Sequence, residues 1–169
     1  NYFPDGTVKS YFKKEKNAKT KITKRILTDI DTATFPVAPI VPNIDIVHNR
    51  ITLEIFRGCT RGCRFCQAGM IYRPVRERSK NNLLKLSEES LKNTGYEEIS
   101  LSSLSSSDYS RIDSLIKELV DRYKEKGVGV SLPSLRIDGF SVQLARESQR
   151  VRKTGLTFAP EVGTDRMRN

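Results

Sequence analysis

Short apolar runs alternate with longer amphipathic stretches through residues 51–159, and no other property of this chain narrows its fold as far. Strands are predicted at about 51–56, 97–102, 128–132 and 156–159. Helical segments fall between them. The first covers about 81–94, with Ser79 as its candidate cap and Gly95 as its stop. The second covers about 110–126. It carries Ile112, Leu115, Ile116, Leu119, Val120 and Tyr123 on one face and ends at Gly127. The third covers about 141–153 and ends at Gly155. Glycine just past a last helical turn is a standard terminator, because it accepts the left-handed backbone that closes a helix. Strands that alternate with helices imply a parallel sheet, since a parallel pair needs a crossover and a helix supplies it.

Each predicted strand runs into a polar or bent loop. Cysteines follow the first, Ser105-Ser-Ser-Asp108 the second, Pro133-Ser-Leu-Arg136 the third and Pro160-Glu161 the fourth. In parallel α/β barrels the active site is built from loops at the carboxyl ends of the strands. The four loops are therefore expected to face one mouth.

Cys59, Cys63 and Cys66 are the chain's three cysteines, spaced C-x3-C-x2-C directly after the run Ile51-Thr-Leu-Glu-Ile-Phe56. Iron–sulfur clusters are held by cysteine thiolates, normally four. Three thiolates leave one metal of a cubane free for an outside ligand. Gly58 and Gly62 permit the turns that wrapping a cluster requires. Arg57, Arg61 and Arg64 place positive charge beside a group that is net anionic, and Phe65 offers an apolar face. A structural zinc site wants four ligands, and the one histidine, His48, lies eleven residues upstream of Cys59. A disulfide framework fits poorly, because the count is odd and nothing resembles a signal peptide.

At this loop the chain resembles the radical S-adenosylmethionine (SAM) superfamily, whose hallmark is C-x3-C-x2-C with an aromatic residue before the third cysteine. Phe65 stands at that place. The resemblance implies a 4Fe–4S cluster on Cys59, Cys63 and Cys66, with SAM chelating the open iron. Reduction then cleaves SAM to methionine and a 5′-deoxyadenosyl radical. A narrower resemblance runs over roughly residues 20–169, through Leu53-Glu-Ile-Phe-Arg-Gly-Cys59, Gln67 to Arg78, Leu101 to Tyr109, Ser131 to Arg136 and Leu156 to Glu161. It points to bacterial radical SAM proteins that carry a cobalamin-binding-type domain upstream of the barrel. Cobalamin would then belong to that upstream domain, and His48 would have a local packing or hydrogen-bonding role. The fold implied is α/β, a partial parallel (β/α) barrel cut to about its first four βα units. An electron donor such as flavodoxin or ferredoxin is implied as a partner.

The resemblance also suggests the SAM contacts. Family members carry a Gly-Gly-Glu-like motif after the second strand, which binds the amino group of SAM. Here Ser105, Ser106, Ser107 and Asp108 stand in its place, with serines for glycines and Asp for Glu. Asp108 or Ser110 would serve equally as a cap for the next helix. Arg136 is a candidate clamp for the methionine carboxylate, because guanidinium binds carboxylates in bidentate fashion. The alternative is a surface arginine. Glu161 would accept from ribose hydroxyls, position substrate, or hold its own loop. Arg73, Arg76 and Arg78 read from the residues alone as a solvated stripe.

Residues 1–45 divide from residues 46–169. Residues 1–25 are lysine-rich and weakly patterned, and Pro36, Pro39 and Pro42 stiffen an extended linker, so this segment reads as connection and not core. The chain opens on Asn1 and stops at Asn169 as a new helix begins, so it reads as a partial chain. Its net charge of +10, from 30 Lys and Arg against 20 Asp and Glu, suits anionic partners. Nucleic acid is therefore a candidate partner and an RNA-modifying enzyme an alternative reading, as is a non-enzymatic metal-stabilised binding module. No apolar run is long enough to span a membrane. Free cysteines suit a reducing, cytoplasmic setting.

Overall fold

The computed structural model describes every residue except Tyr11, Thr20, Asp45, Phe140, Thr154 and Asn169, and all described side chains except that of Arg168. The expected boundary near residue 45 thus falls on a residue outside this set. In chain order the elements are β1 (Ile51–Glu54), β2 (Phe56–Arg57), α1 (Ala68–Ile71), β3 (Arg76–Glu77), α2 (Lys80–Thr94), β4 (Glu98–Ser102), α3 (Ile112–Tyr123), β5 (Gly129–Ser131), β6 (Leu135–Arg136), α4 (Val142–Ser148), β7 (Phe158–Ala159) and α5 (Asp165–Arg168).

The body is a three-stranded parallel sheet in the order β1-β4-β5. Leu53 pairs with Leu101 and Ile99 with Val130. These four side chains are fully buried on one face of the sheet. Successive side chains of a strand point to opposite faces, so Thr52, Glu54, Ser100 and Ser102 fall on the other. That polar face carries its own network, in which Glu98 accepts from Arg50 at 3.1 Å and from Ser131 at 2.8 Å. The apolar face is covered by helices. α2 packs on β1, and α3 packs on β5 and α4. The face of α3 that goes inward is the one legible in its periodicity, with Leu115, Ile116, Leu119 and Val120 all at 0 % exposure.

The helix ends follow local chemistry. Ser79 caps α2 by accepting from the Asn82 amide, and Gly95 closes it at φ 70°. Gly127, at φ 68°, closes the 3-10 turn that extends α3. α4 stops at Ser148, five residues short of the expected end. Arg150 reaches back to Asp121 on α3 and Arg152 pairs with Glu97 ahead of β4, while Val151 packs on the core. Those contacts draw the chain out of the helical path.

Three expectations need correction. The first strand is not continuous to residue 56. After β1 the chain changes partner, and β2 pairs antiparallel with β3. The predicted fourth strand does not join the main sheet. Phe158 and Ala159 of β7 pair in parallel with Leu135 and Arg136 of β6, a strand the sequence reading missed. Pro133 has no amide to donate and Ser134 sits at φ 61°, so the chain is re-aimed between β5 and β6. Finally, the segment ahead of β1 is more than connection. Ile30 is 1 % exposed, and Phe35 packs against the core. Asp31 accepts from the amide of Ser79 at the start of α2.

Arg78 joins these parts and is no member of a solvated stripe. It is 1 % exposed. Its guanidinium donates to the carbonyls of Ile30 at 2.8 Å and Glu54 at 3.2 Å, and lies 6.0 Å from the centre of the Phe35 ring. Its own carbonyl accepts from the Tyr109 hydroxyl at 2.8 Å. Burial pushes that phenol up to about 12. A buried cation is tolerated when carbonyl oxygens surround it, and the Ile30 segment supplies one of them.

Candidate functional site

The cysteine loop leaves β2 through Gly58, whose φ of 95° is closed to other residues without strain. Space forbids a side chain there as well. A Cβ on Gly58 would collide with the carbonyl oxygen of Tyr72 and lie 2.7 Å from that of Pro74. The loop therefore turns directly beneath the segment that follows it. Gly62, at φ 69°, makes the second left-handed turn. The Cys66 amide then donates to the Cys63 carbonyl at 2.9 Å, and α1 begins. The Arg64 amide donates to the carbonyl of Met167, which ties the loop to α5.

All three cysteines are free thiols; Cys63 is buried and the other two are partly exposed. Phe65 is 45 % exposed beside them. Among the described residues, no three His, Cys, Asp or Glu side chains converge closely enough to hold a single metal ion. A cubane asks for wider spacing, because each thiolate binds its own iron. Three free thiols on a loop shaped by two left-handed glycines fit that group. His48 stands apart, exposed, with Nδ1 2.8 Å from the Arg50 guanidinium.

The loop after β4 approaches the cysteines, but its serines divide into two kinds. Ser106 is wholly buried and its hydroxyl donates to carbonyls, at 2.8 Å to Pro133 and 3.1 Å to Leu101. It braces β4 against the turn after β5. The hydroxyls of Ser105 and Ser107 are buried; Asp108 lies within reach of Ser105, and among the described residues Ser107 has no hydrogen-bond partner. Buried hydroxyls are normally paired, so an orphaned one on the loop that holds Arg61 suits a bound polar group.

Asp108 caps nothing. The N-cap of α3 is Arg111, without a side-chain cap bond, and Ser110 instead donates its amide and hydroxyl to Glu77. Asp108 grips Arg61, the residue midway between Cys59 and Cys63, through Nε at 2.8 Å and through Nη2. The Arg61 guanidinium holds the Asp108 carboxyl below the usual carboxylate range, against the opposing effect of burial. The same bond raises Arg61.

On the other wall stands Arg136 of β6, which is 8 % exposed and no surface arginine. Nε and Nη2 donate to the two oxygens of Asp138 at 2.9 and 2.7 Å. Nη1 lies 3.5 Å from the sulfur of Cys63 and 3.8 Å from Glu161. The Asp138 bonds raise Arg136 most, with Cys63 adding to them, and Arg136 in turn lowers Asp138. Glu161 itself sits at φ 69°. Non-glycine residues held in that region gather at ligand sites more than elsewhere. The sequence reading missed the pairing role of Arg61 and missed Asp138 altogether. The one signal for Asp138 was its place two residues after Arg136.

A cavity of about 570 Å³ opens beside Gly58, where β1 and β4 end. Arg25, Arg57 and Arg76 line it together with Phe56, Tyr72 and Ser102. Its walls adjoin the cysteine loop on the polar face of the sheet, and Glu54, also in the lining, pairs with Arg57. Among the described residues, Arg76 donates to the carbonyls of Pro74, Leu27 and Tyr72 and pairs with no carboxylate.

The family model of the radical SAM superfamily matches residues 53–168, from the middle of β1 to α5. The chain is also 32 % identical over 164 residues to MJ0966, an uncharacterized protein of Methanocaldococcus jannaschii. That alignment covers 97 % of this chain and 34 % of the relative, so the chain spans about a third of the length of the curated protein it matches. The cysteine spacing, the parallel strands that carry it and the match over most of the chain agree: this protein belongs to the radical SAM superfamily.

Proposed function

We propose that this chain forms the cofactor-binding part of a radical SAM enzyme. Cys59, Cys63 and Cys66 would hold a 4Fe–4S cluster, and its fourth iron would take the amino and carboxylate groups of SAM. When bound and reduced by one electron, the cluster supplies reductive cleavage of SAM to methionine and a 5′-deoxyadenosyl radical. A small ferredoxin- or flavodoxin-type donor would deliver that electron. The parallel strands β1, β4 and β5 would be the opening part of a (β/α) barrel, with residues 1–45 as an arm in front of it.

The observation that carries this reading is one loop with three free thiols, shaped by Gly58 and Gly62 and tied through Arg61 to Asp108 of the serine loop. Ser105 and Ser107 would accept from the SAM ammonium, and Asp108 would add negative charge from behind while holding Arg61. Phe65 would cover the cluster loop on its exposed side. Glu161 would meet the ribose hydroxyls. The cavity lined by Arg25, Arg57 and Arg76 would receive the substrate, and its charge favours an anionic one. Any cobalamin would belong to a separate upstream domain.

The test is anaerobic reconstitution with iron and sulfide, reduction with dithionite, addition of SAM and chromatography for 5′-deoxyadenosine. The expected result is a brown protein with about four irons per chain, which releases 5′-deoxyadenosine and changes its electron paramagnetic resonance spectrum when SAM is added. Cys63→Ala should lose the cubane and the product together. Full iron and sulfide in Cys63→Ala, or a wild-type spectrum indifferent to saturating SAM, would refute the proposal.

A further inference from the structure

The geometry around Arg136 points to a role on the cluster and not on the SAM carboxylate, and it rests on the cluster assignment proposed above. We infer that Arg136, pinned by Asp138, donates a hydrogen bond to the Cys63 thiolate and thereby sets how easily the cluster is reduced.

Four observations carry this. First, the part of the guanidinium that would clamp a carboxylate is taken. Asp138 already occupies Nε and Nη2 in the two-bond arrangement that makes arginine–carboxylate pairs strong. A second carboxylate would have to displace the first. Second, the remaining edge is aimed at sulfur, with Nη1 3.5 Å from Cys63 Sγ. Third, Cys63 is the buried one of the three cysteines. A thiolate withdrawn from water needs a donor from the protein, and a cation with an N–H supplies both charge and bond. Fourth, the donor cannot drift. Arg136 lies in β6, paired with Ala159 of β7, and its charge is bracketed by Asp138 and by Glu161 at 3.8 Å. Residues that orient the groups around a metal tune that metal.

The consequence follows from electrostatics. Reduction adds negative charge to a cluster that is already anionic with its thiolates. A hydrogen bond to a coordinating sulfur, and a positive charge beside it, favour the reduced form. Hydrogen bonds to sulfur and local charge are among the terms that set iron–sulfur potentials. Arg136 therefore raises the potential and brings the cluster within reach of a biological one-electron donor.

The experiment is a redox titration of the reconstituted protein without SAM, followed by electron paramagnetic resonance. Arg136→Met should make reduction at least about tenfold less favourable, a fall of about 59 mV for one electron. SAM at saturation should still change the spectrum of the reduced variant. If Arg136→Met keeps the wild-type potential and instead loses its response to SAM, the inference is overturned and Arg136 is the carboxylate clamp. If Arg136→Met loads no cluster, Arg136→Gln decides. That side chain removes the positive charge and with it the charge-assisted bond to sulfur, so a lowered potential supports the inference and a wild-type potential overturns it. A wild-type chain that assembles no cluster would remove the proposed function, and this inference with it.

Discussion

The three-stranded sheet and the mouth above it are held by different forces. In the sheet, Leu53, Ile99, Leu101 and Val130 are fully buried against α2 and α3, and the stabilisation is apolar burial. It has no direction and needs only the right residue types at the right period. At the mouth, Arg61 grips Asp108 across 47 residues and Arg136 reaches Cys63 across 73. These contacts are directional and charged; the Arg61 pair is partly open to water and contributes little to stability, whereas the Arg136 contact is buried. What they supply is position. The proposed cluster and cofactor would need loops held in place by such charges over a packed body.

The comparison can be broken from the body first. Leu101→Ala should destabilise the protein by about 2–5 kcal/mol, because it opens a cavity at the centre of the sheet. Denaturant unfolding followed by circular dichroism measures this. A loss near zero would mean that the sheet is not the stabilising body.

Gly58→Ala should act next and more locally. It forces a side chain into φ 95° and against the carbonyls of Tyr72 and Pro74, at a cost of about 1–3 kcal/mol. Iron and sulfide content after reconstitution should fall while the far-ultraviolet spectrum is kept. A variant that loads cluster like wild type would show that the loop can turn without glycine.

Asp108→Asn should have the smallest effect on stability, about 1 kcal/mol or less, because Arg61 is 40 % exposed. Its pH dependence carries a sign. The Asp108 carboxyl titrates below the ordinary 3.8 in the folded protein, so its contribution is complete above that value. It fades as pH falls through the lowered value. The difference between Asp108→Asn and wild type should therefore be present at neutral pH and shrink in acid. A difference that grew in acid would mean that Arg61 does not stabilise the charged form.

Legibility followed the same division. The periodicity of α3 is a local property of six apolar residues, and the buried face matched it. Glycine stops at Gly95 and Gly127 depend on one residue's freedom, and both are left-handed in the structure. The cysteine spacing named the superfamily before any fold was known. Where the sequence misled, the answer lay in a partner far along the chain. Phe158 and Ala159 have the look of a strand, but nothing local to them says that they pair with Leu135 and Arg136 and not with β5. Arg78 resembles its exposed neighbours in sequence, and only the arrival of Ile30 and Phe35 from 48 and 43 residues away makes it interior.

The sequence by itself thus determined the main helices, the parallel class of the central sheet and the superfamily, because these rest on residue type and short-range spacing. Tertiary structure alone decided which hydroxyls are free. Ser105, Ser106 and Ser107 are chemically identical, yet Ser106 braces Pro133, Ser105 lies by Asp108, and Ser107 has no partner among the described residues. It also decided that Arg136 faces Cys63 and Asp138. A guanidinium binds whichever acceptors the fold brings within reach, and here they are Asp138 on the same segment, Cys63 of the cysteine loop and Glu161 beyond β7.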